Sequence, residues 1–178
     1  MATYVKAKST SHHAGEAHGV VFIHSTARAL CPHIEWALAR VLGIQVSIDW
    51  DEQPIAPGTQ RAEIMWEGPA GTGARLASAL LAFTAVRHEV TEDAVAGRLG
   101  ERFSATPSLG LFRAEIGQHG DVLVSEDRLR TAVAKATELG VSLTESISRL
   151  IGDPWDAELE VFRFAHDGST IRVLPQVV

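Results

Sequence analysis

Cysteine occurs once in the 178 residues, at Cys31. A single thiol excludes a disulfide framework within the chain and fits a reducing compartment. Long apolar runs are also missing. The longest, ASALLAFTAV, has ten residues, well short of the ~20 a membrane-spanning helix needs. The opening, MATYVKAKSTSHHAGEAHG, carries no apolar core of the kind found in a secretory leader. A cytoplasmic protein without membrane insertion is therefore expected. Basic residues never cluster, and acidic ones outnumber them for a net charge of -6. Such a chain cannot neutralise a phosphate backbone, so no nucleic-acid partner is expected. HExxH and paired CxxC are both absent, so no metal and no cofactor is expected.

What is present is an ordinary globular balance, 46% apolar and 21% charged, in a chain long enough to bury a real core. Residues 1–18 are polar and aperiodic and read as a flexible arm. GVVFIHS (19–25) is a β-branched strand. CPHIEWALARVLG is a helix with Pro32 in its first turn, Glu35 complementing the N-terminal dipole and Gly43 at its end. IQVSIDW (44–50) alternates cleanly and predicts a strand, as does RAEIMWEG (61–68). TGARLASALLAFTAV (72–86) is a helix capped by Thr72, and RHEVTE (87–92) a strand.

The order β-α-β-β-α-β over 19–92 predicts an α+β, ferredoxin-like unit with both helices on one face of the sheet. Residues 93–178 extend the same core. Strands are expected in ERFSATPSLGLFRAEIG, broken near Pro107, and in DVLVS. A helix follows Ser125, another starts near Thr144, and Asp153–Pro154 opens a segment that satisfies both helical and strand periodicity. STIRVLP is expected as a last strand.

Four sets of residues could carry chemistry. Cys31 sits at a helix N-terminus, where the dipole lowers a thiol pKa, and His24 and His33 are near it in sequence. A Cys31, His24, His33 enzyme acting on acyl thioesters is the alternative to a buried, inert cysteine, which is the common state of a free thiol. His12, His13 and His18 lie on the arm. EGPAGTGARL lacks the ending of a phosphate loop, but Thr72, Gly73 and the amides after them, with Arg75, form a helix start that can hold an anion. Asp49, Asp51 and Glu52 sit at a strand end, where carboxylates mostly face solvent. Of four tryptophans in a chain with 6% aromatics, Trp50 and Trp66 alternate with core positions. Trp36 and Trp155 fall in early helical turns, where a partly exposed indole can anchor a partner.

The segments GVVFIHSTARALCPHIEWALARVLG, DWDEQPIAPGTQRAEIMWEGPAGTGARLASAL, HEVTED, ERFSATPSLGLFRAEIGQHGDVLVSEDRLR and WDAELEVFR recur in order in an actinobacterial family that the chain resembles, domain of unknown function 3145 (DUF3145). The resemblance implies no activity and no catalytic residue. It implies a gene near those of type II fatty-acid synthesis. Acyl carrier protein, acyl-CoA carboxylation or a condensing enzyme would then be neighbours in function. The arm before residue 19 departs from the family pattern, which further weakens any role for its histidines. The reading that results is a non-catalytic partner-binding protein, accessory or regulatory to fatty-acid or acyl-CoA metabolism. Its partner is expected to be a component of fatty-acid synthesis or acyl-CoA carboxylation. A homodimer through the open sheet face and a small-molecule sensor with its ligand near Thr72 and Arg75 are the other expectations.

Overall fold

In the computed structural model, which describes residues 2–7, 16–95 and 97–164, one eight-stranded sheet carries helices on both faces. The strands are β1 (Thr3–Lys6), β2 (Glu16–Ala27), β3 (Asp51–Glu52), β4 (Thr59–Pro69), β5 (Arg87–Glu92), β6 (Gly100–Thr106), β7 (Gly110–Ile116) and β8 (Val122–Leu123). They lie in the order β1-β4-β2-β5-β6-β7-β8, with β3 also paired to β4. Among the described residues all pairings of these strands are antiparallel except β1 with β4. The helices are α1 (Cys31–Leu42), α2 (Thr72–Leu80), α3 (Glu126–Leu139), α4 (Leu143–Ile151) and α5 (Asp153–Phe164). The chain is thus α+β.

Strict alternation explains the first face. Ala17, Val21 and Ile23 of β2 and Ala62, Ile64 and Trp66 of β4 point one way, with Val90 and Phe103 beside them. Ile34, Leu38 and Leu42 of α1 and Leu76, Ala77 and Leu80 of α2 close over them. Each of these large side chains contributes about 1.5–3 kcal/mol by leaving water. α1 ends at Gly43, whose φ of 69° only glycine adopts without strain. Gly19 answers a different need, since a Cβ there would lie 1.9 Å from the Thr91 carbonyl oxygen. That leaves no room for any other residue.

Several sequence expectations change. The arm supplies β1, which runs parallel to β4. The alternating stretch 44–50 forms no ladder. Its inner side is real, with Val46 and Ile48 buried, but alternation reports burial of one side and says nothing about a paired neighbour. Glu35, expected to serve its own helix, accepts instead from Ile48 N at 3.1 Å and Trp50 Nε1 at 3.0 Å. α2 stops at Leu80, six residues before its expected end. Thr72 is the first helical residue rather than the cap, a position held by Gly71. The doubtful segment after Asp153 is helix α5. That helix lies across the second face, which was expected to be open and polar. The expected strand STIRVLP lies outside the described residues.

Candidate functional site

The second face is built from the residues that alternation turns away from the apolar core. Register places Glu63, Phe22, Glu89, Ser104 and Phe112 in one row across β4, β2, β5, β6 and β7. α5 covers the far end of this row. Leu159 is fully buried, and Trp155 packs on Phe112 at 5.2 Å between ring centroids while its Nε1 donates to the Gly110 carbonyl at 2.9 Å. Trp155, expected to be partly exposed, is therefore buried and offers no contact surface to a partner.

Between α5 and the sheet lies an ion network. Glu89, 8% exposed at its side chain, accepts from His24 Nε2 at 2.8 Å, Arg163 Nε at 2.9 Å, Arg102 Nη2 at 2.9 Å and Ser104 Oγ at 3.1 Å. Asp156 accepts from the same two guanidiniums, at 2.7 Å from Arg163 Nη2 and at 3.2 Å from Arg102 Nη1. Burial pushes the Glu89 carboxyl up, but the hydrogen bonds from His24 and Arg163 and their charges outweigh it and hold the carboxyl well below the usual range. Asp156 is lowered in the same way, against burial, by Arg102 and Arg163. Nearby, Glu158 accepts from Arg87 Nε at 3.1 Å and Thr106 Oγ1 at 2.9 Å, and the Arg87 guanidinium sits over the Phe162 ring. These contacts lock the last turns of α5 to β5 and β6. With so many donors engaged, the Glu89 carboxylate holds structure together and is not available as a free base.

A cavity of about 270 Å³ opens beside this network. Phe22, His24, Gln53, Arg61, Phe162 and Arg163 shape it, with Asp51 and Glu63 at its β3–β4 side. Gln53, 1% exposed, fixes the floor by donating to the His24 carbonyl at 2.7 Å and accepting from Ile55 N at 3.1 Å. Arg61 stands out, because its Nε and Nη1 are buried and reach no acceptor among the described residues. Unmet buried donors on a cation cost more than the bond they forgo. The cavity lining holds no serine, threonine, cysteine or lysine among the described residues, and its ionisable groups are His24, Asp51, Arg61, Glu63, Glu89 and Arg163.

The structure does not bring the sequence-derived thiol constellation together. Cys31 is buried, 7% exposed, and its sulfur lies 4.0 Å from the Ala27 carbonyl oxygen. Burial first, and then the Glu35 charge, raise its pKa, which keeps the thiol protonated. His24 is committed to Glu89 on the second face, and His33 stands edge-on to Trp36 at 5.2 Å.

The expected anion position is filled from within. The backbone N–H groups of Gly71 and Gly73 donate to the two carboxylate oxygens of Glu92 at 2.9 and 2.8 Å, and Arg98 also pairs with Glu92. Thr72 Oγ1 donates to the Pro69 carbonyl at 2.6 Å and accepts from Arg75 at 2.8 Å. The helix start thus holds the chain's own fully buried carboxylate. His12 and His13 lie outside the described residues, and His18 is exposed. No group of three or more potential metal ligands occurs among the described residues.

Trp36 is 64% exposed and borders a groove between α1 and α2 with His33, Arg40 and Phe83. A second exposed apolar surface lies on α3 and α4. α3 buries only Ala132, while Leu129, Val133 and Leu139 are 40–70% exposed. Of the residues that build the cavity and its network, sequence reasoning found only His24, and for a different role, and Asp51 as a solvent-facing carboxylate. Asp156 and Arg163, seven positions apart on the same helical side as Leu159, were the available signal for the rest: charges on a core-facing stripe that must pair with something.

A family model described as "Protein of unknown function (DUF3145)" matches residues 20–176, and the chain belongs to that family. No curated protein and no solved structure matches it. No helix among the described residues is long and apolar enough to cross a membrane.

Proposed function

We propose that this DUF3145 chain is a non-catalytic, cytoplasmic binding protein that takes a small molecule in the cavity under α5 and acts on a protein partner. The observation that carries the reading is the cavity itself: a preformed space with aromatic walls, a half-buried arginine with two buried N–H groups that reach no acceptor, and a roof tied down by ion pairs. Convergent polar groups in an apolar cavity are the usual mark of a ligand site. The roof matters as much, because α5 continues from α4 and α3, whose exposed apolar side chains suit a partner surface. A ligand that stabilises the position of α5 would bias that surface. Trp36 and its groove offer a second partner contact. An accessory or regulatory role in actinobacterial fatty-acid or acyl-CoA metabolism is kept as part of the proposal on the family resemblance alone. We also read the unit from β2 to β5 as a ferredoxin-like split βαβ arrangement, supported by its strand order β5-β2-β4-β3.

The enzyme alternative through Cys31 has little support, since the thiol is buried and neither histidine attends it. A thermal-shift screen with acyl-CoAs, free fatty acids, nucleotides and amino acids tests the binding reading. A ligand present at a hundred times its Kd adds about 2.7 kcal/mol, a rise in Tm of about 5–10 °C for a chain of this length. Arg61→Ala should abolish the rise without lowering the melting point of the free protein. No stabilising compound in the screen, or a rise untouched by Arg61→Ala, removes the reading. For the partner surface, Trp36→Ala should lose proteins that co-purify with the wild type while leaving the fold intact.

A further inference from the structure

Within the partner-binding part of that reading, on which this inference rests, we infer that the groove between α1 and α2 receives an acidic amphipathic helix, its apolar stripe against Trp36 and Phe83 and its carboxylates against Arg40 and Arg75. Charge is the first observation. The chain carries 22 acidic and 16 basic residues, yet this layer reverses the balance. Residues 28–43 and 71–86 hold Arg28, Arg40 and Arg75 against one acid, Glu35. All three arginines are exposed, while Glu35 is engaged by Ile48 N and Trp50 Nε1. A cationic strip on an otherwise anionic protein draws negative charge to that strip and to few other places.

Shape supplies the rest. Trp36 is 64% exposed, whereas Trp66 and Trp155 are 1% and 8%, and tryptophan is among the side chains that most often dominate a binding surface. The groove floor is small, with Ala37, Ala79 and Ala82 beside the larger Val41 and Phe83. Such a trough admits the side-chain ridge of another helix. Polarity runs along it. β2 and β4 are antiparallel, so the helices that follow them run in opposite directions, and the start of α1 meets the end of α2. His33 and Phe83 share that end. Arg40 shares the other with Arg75, which lies four residues before Ala79 and so on the same side of α2. A guanidinium has five N–H donors, so Arg75, bonded to Thr72 Oγ1, keeps others for a carboxylate. A helix with an apolar stripe and flanking glutamates answers both ends. A wholly apolar helix leaves the arginines unanswered, and a basic one meets like charge.

The probe is a fluorophore-labelled peptide of about 15 residues with leucines along one side and glutamates flanking them, locked as a helix by a side-chain bridge because a free helix of that length is marginal. Anisotropy with the full chain should show saturable binding that weakens as salt rises. A version with lysine in place of glutamate should bind at least about tenfold more weakly, and the acidic peptide should lose as much on Trp36→Ala or on Arg40→Glu. Arg40→Glu combined with Arg75→Glu should invert the preference. Circular dichroism on each variant establishes that it folds. If the lysine peptide binds as well, if binding survives both Trp36→Ala and Arg40→Glu, or if neither peptide binds, the inference falls. A wild-type dimer in sedimentation velocity that Trp36→Ala dissociates gives the groove to a second copy and overturns it too. The reading beneath fails separately. It is lost if Trp36→Ala keeps every co-purifying protein, and it stands without the acidic helix if Trp36→Ala loses one that Arg40→Glu retains.

Discussion

On the α1–α2 face of the sheet, Ile34, Leu38, Leu76 and Leu80 are buried against Val21, Ile23, Ile64 and Trp66. On the α5 face, Leu159 and Trp155 share their side with Glu89, Arg102, Asp156 and Arg163. The first face is joined by contact that has no direction and tolerates some slippage. The second is joined by hydrogen bonds that fix one arrangement and fail together when a member is lost. The cavity on the second face opens beside the ion pairs that tie α5 to the sheet. The contrast separates a face closed by apolar packing from a face closed by charge pairs, and the proposed ligand-binding function belongs to the second.

The largest effect that tests this contrast is Glu89→Ala. It leaves His24, Arg102 and Arg163 without their shared acceptor and should cost about 3–5 kcal/mol in urea unfolding. Leu38→Ala on the other face should cost about 2–5 kcal/mol but leave ligand binding unchanged, whereas Glu89→Ala should weaken it. Equal effects of the two on binding would erase the distinction between the faces.

A smaller effect sharpens it through pH. His88 belongs to the apolar face, where its ring is buried, and burial, opposed by the Val86 backbone, lowers its pKa from 6.5 to about 4. The unfolded chain then binds a proton that the folded chain refuses, so stability should fall as pH drops below 6.5, by about 3 kcal/mol in total on reaching pH 4. The depressed carboxyls of Glu89 and Asp156 act over a lower range. Their contribution is present above the unfolded carboxylate pKa and is lost as pH falls below it. His88→Leu should remove the upper limb and keep the lower one; an unchanged pH profile would show that His88 is not its source.

The smallest effect concerns Cys31. Iodoacetamide near pH 8 should label it only after denaturation, and Cys31→Ala should leave ligand binding as it was. Rapid labelling of the native protein would reopen the thiol alternative.

Legibility followed locality. The helix from Cys31 and the strands around Ile23 and Ile64 could be read because each is a periodic pattern within a dozen residues. The stretch from Ile44 to Trp50 was misread because one-sided burial produces the same pattern with or without a paired strand. The network escaped because its members are scattered: Glu89 and Arg163 stand 74 positions apart, and nothing in RHEVTE says that its glutamate turns inward. The anion site at Thr72 was half legible. A helix start does hold a negative charge there, but Glu92, nineteen positions after Gly73, supplies it.

The amino-acid sequence by itself determined the class of molecule, the two helices and main strands of the apolar face, and the absence of disulfides, because composition and periodicity act residue by residue. Only the tertiary structure decided that α5 lies on the second face, that Trp155 is buried while Trp36 is exposed, and that a cavity with Arg61 in its wall remains beside α5. Those outcomes depend on which distant charges meet, and a charge declares its partner only once the chain has brought the two within a few ångströms.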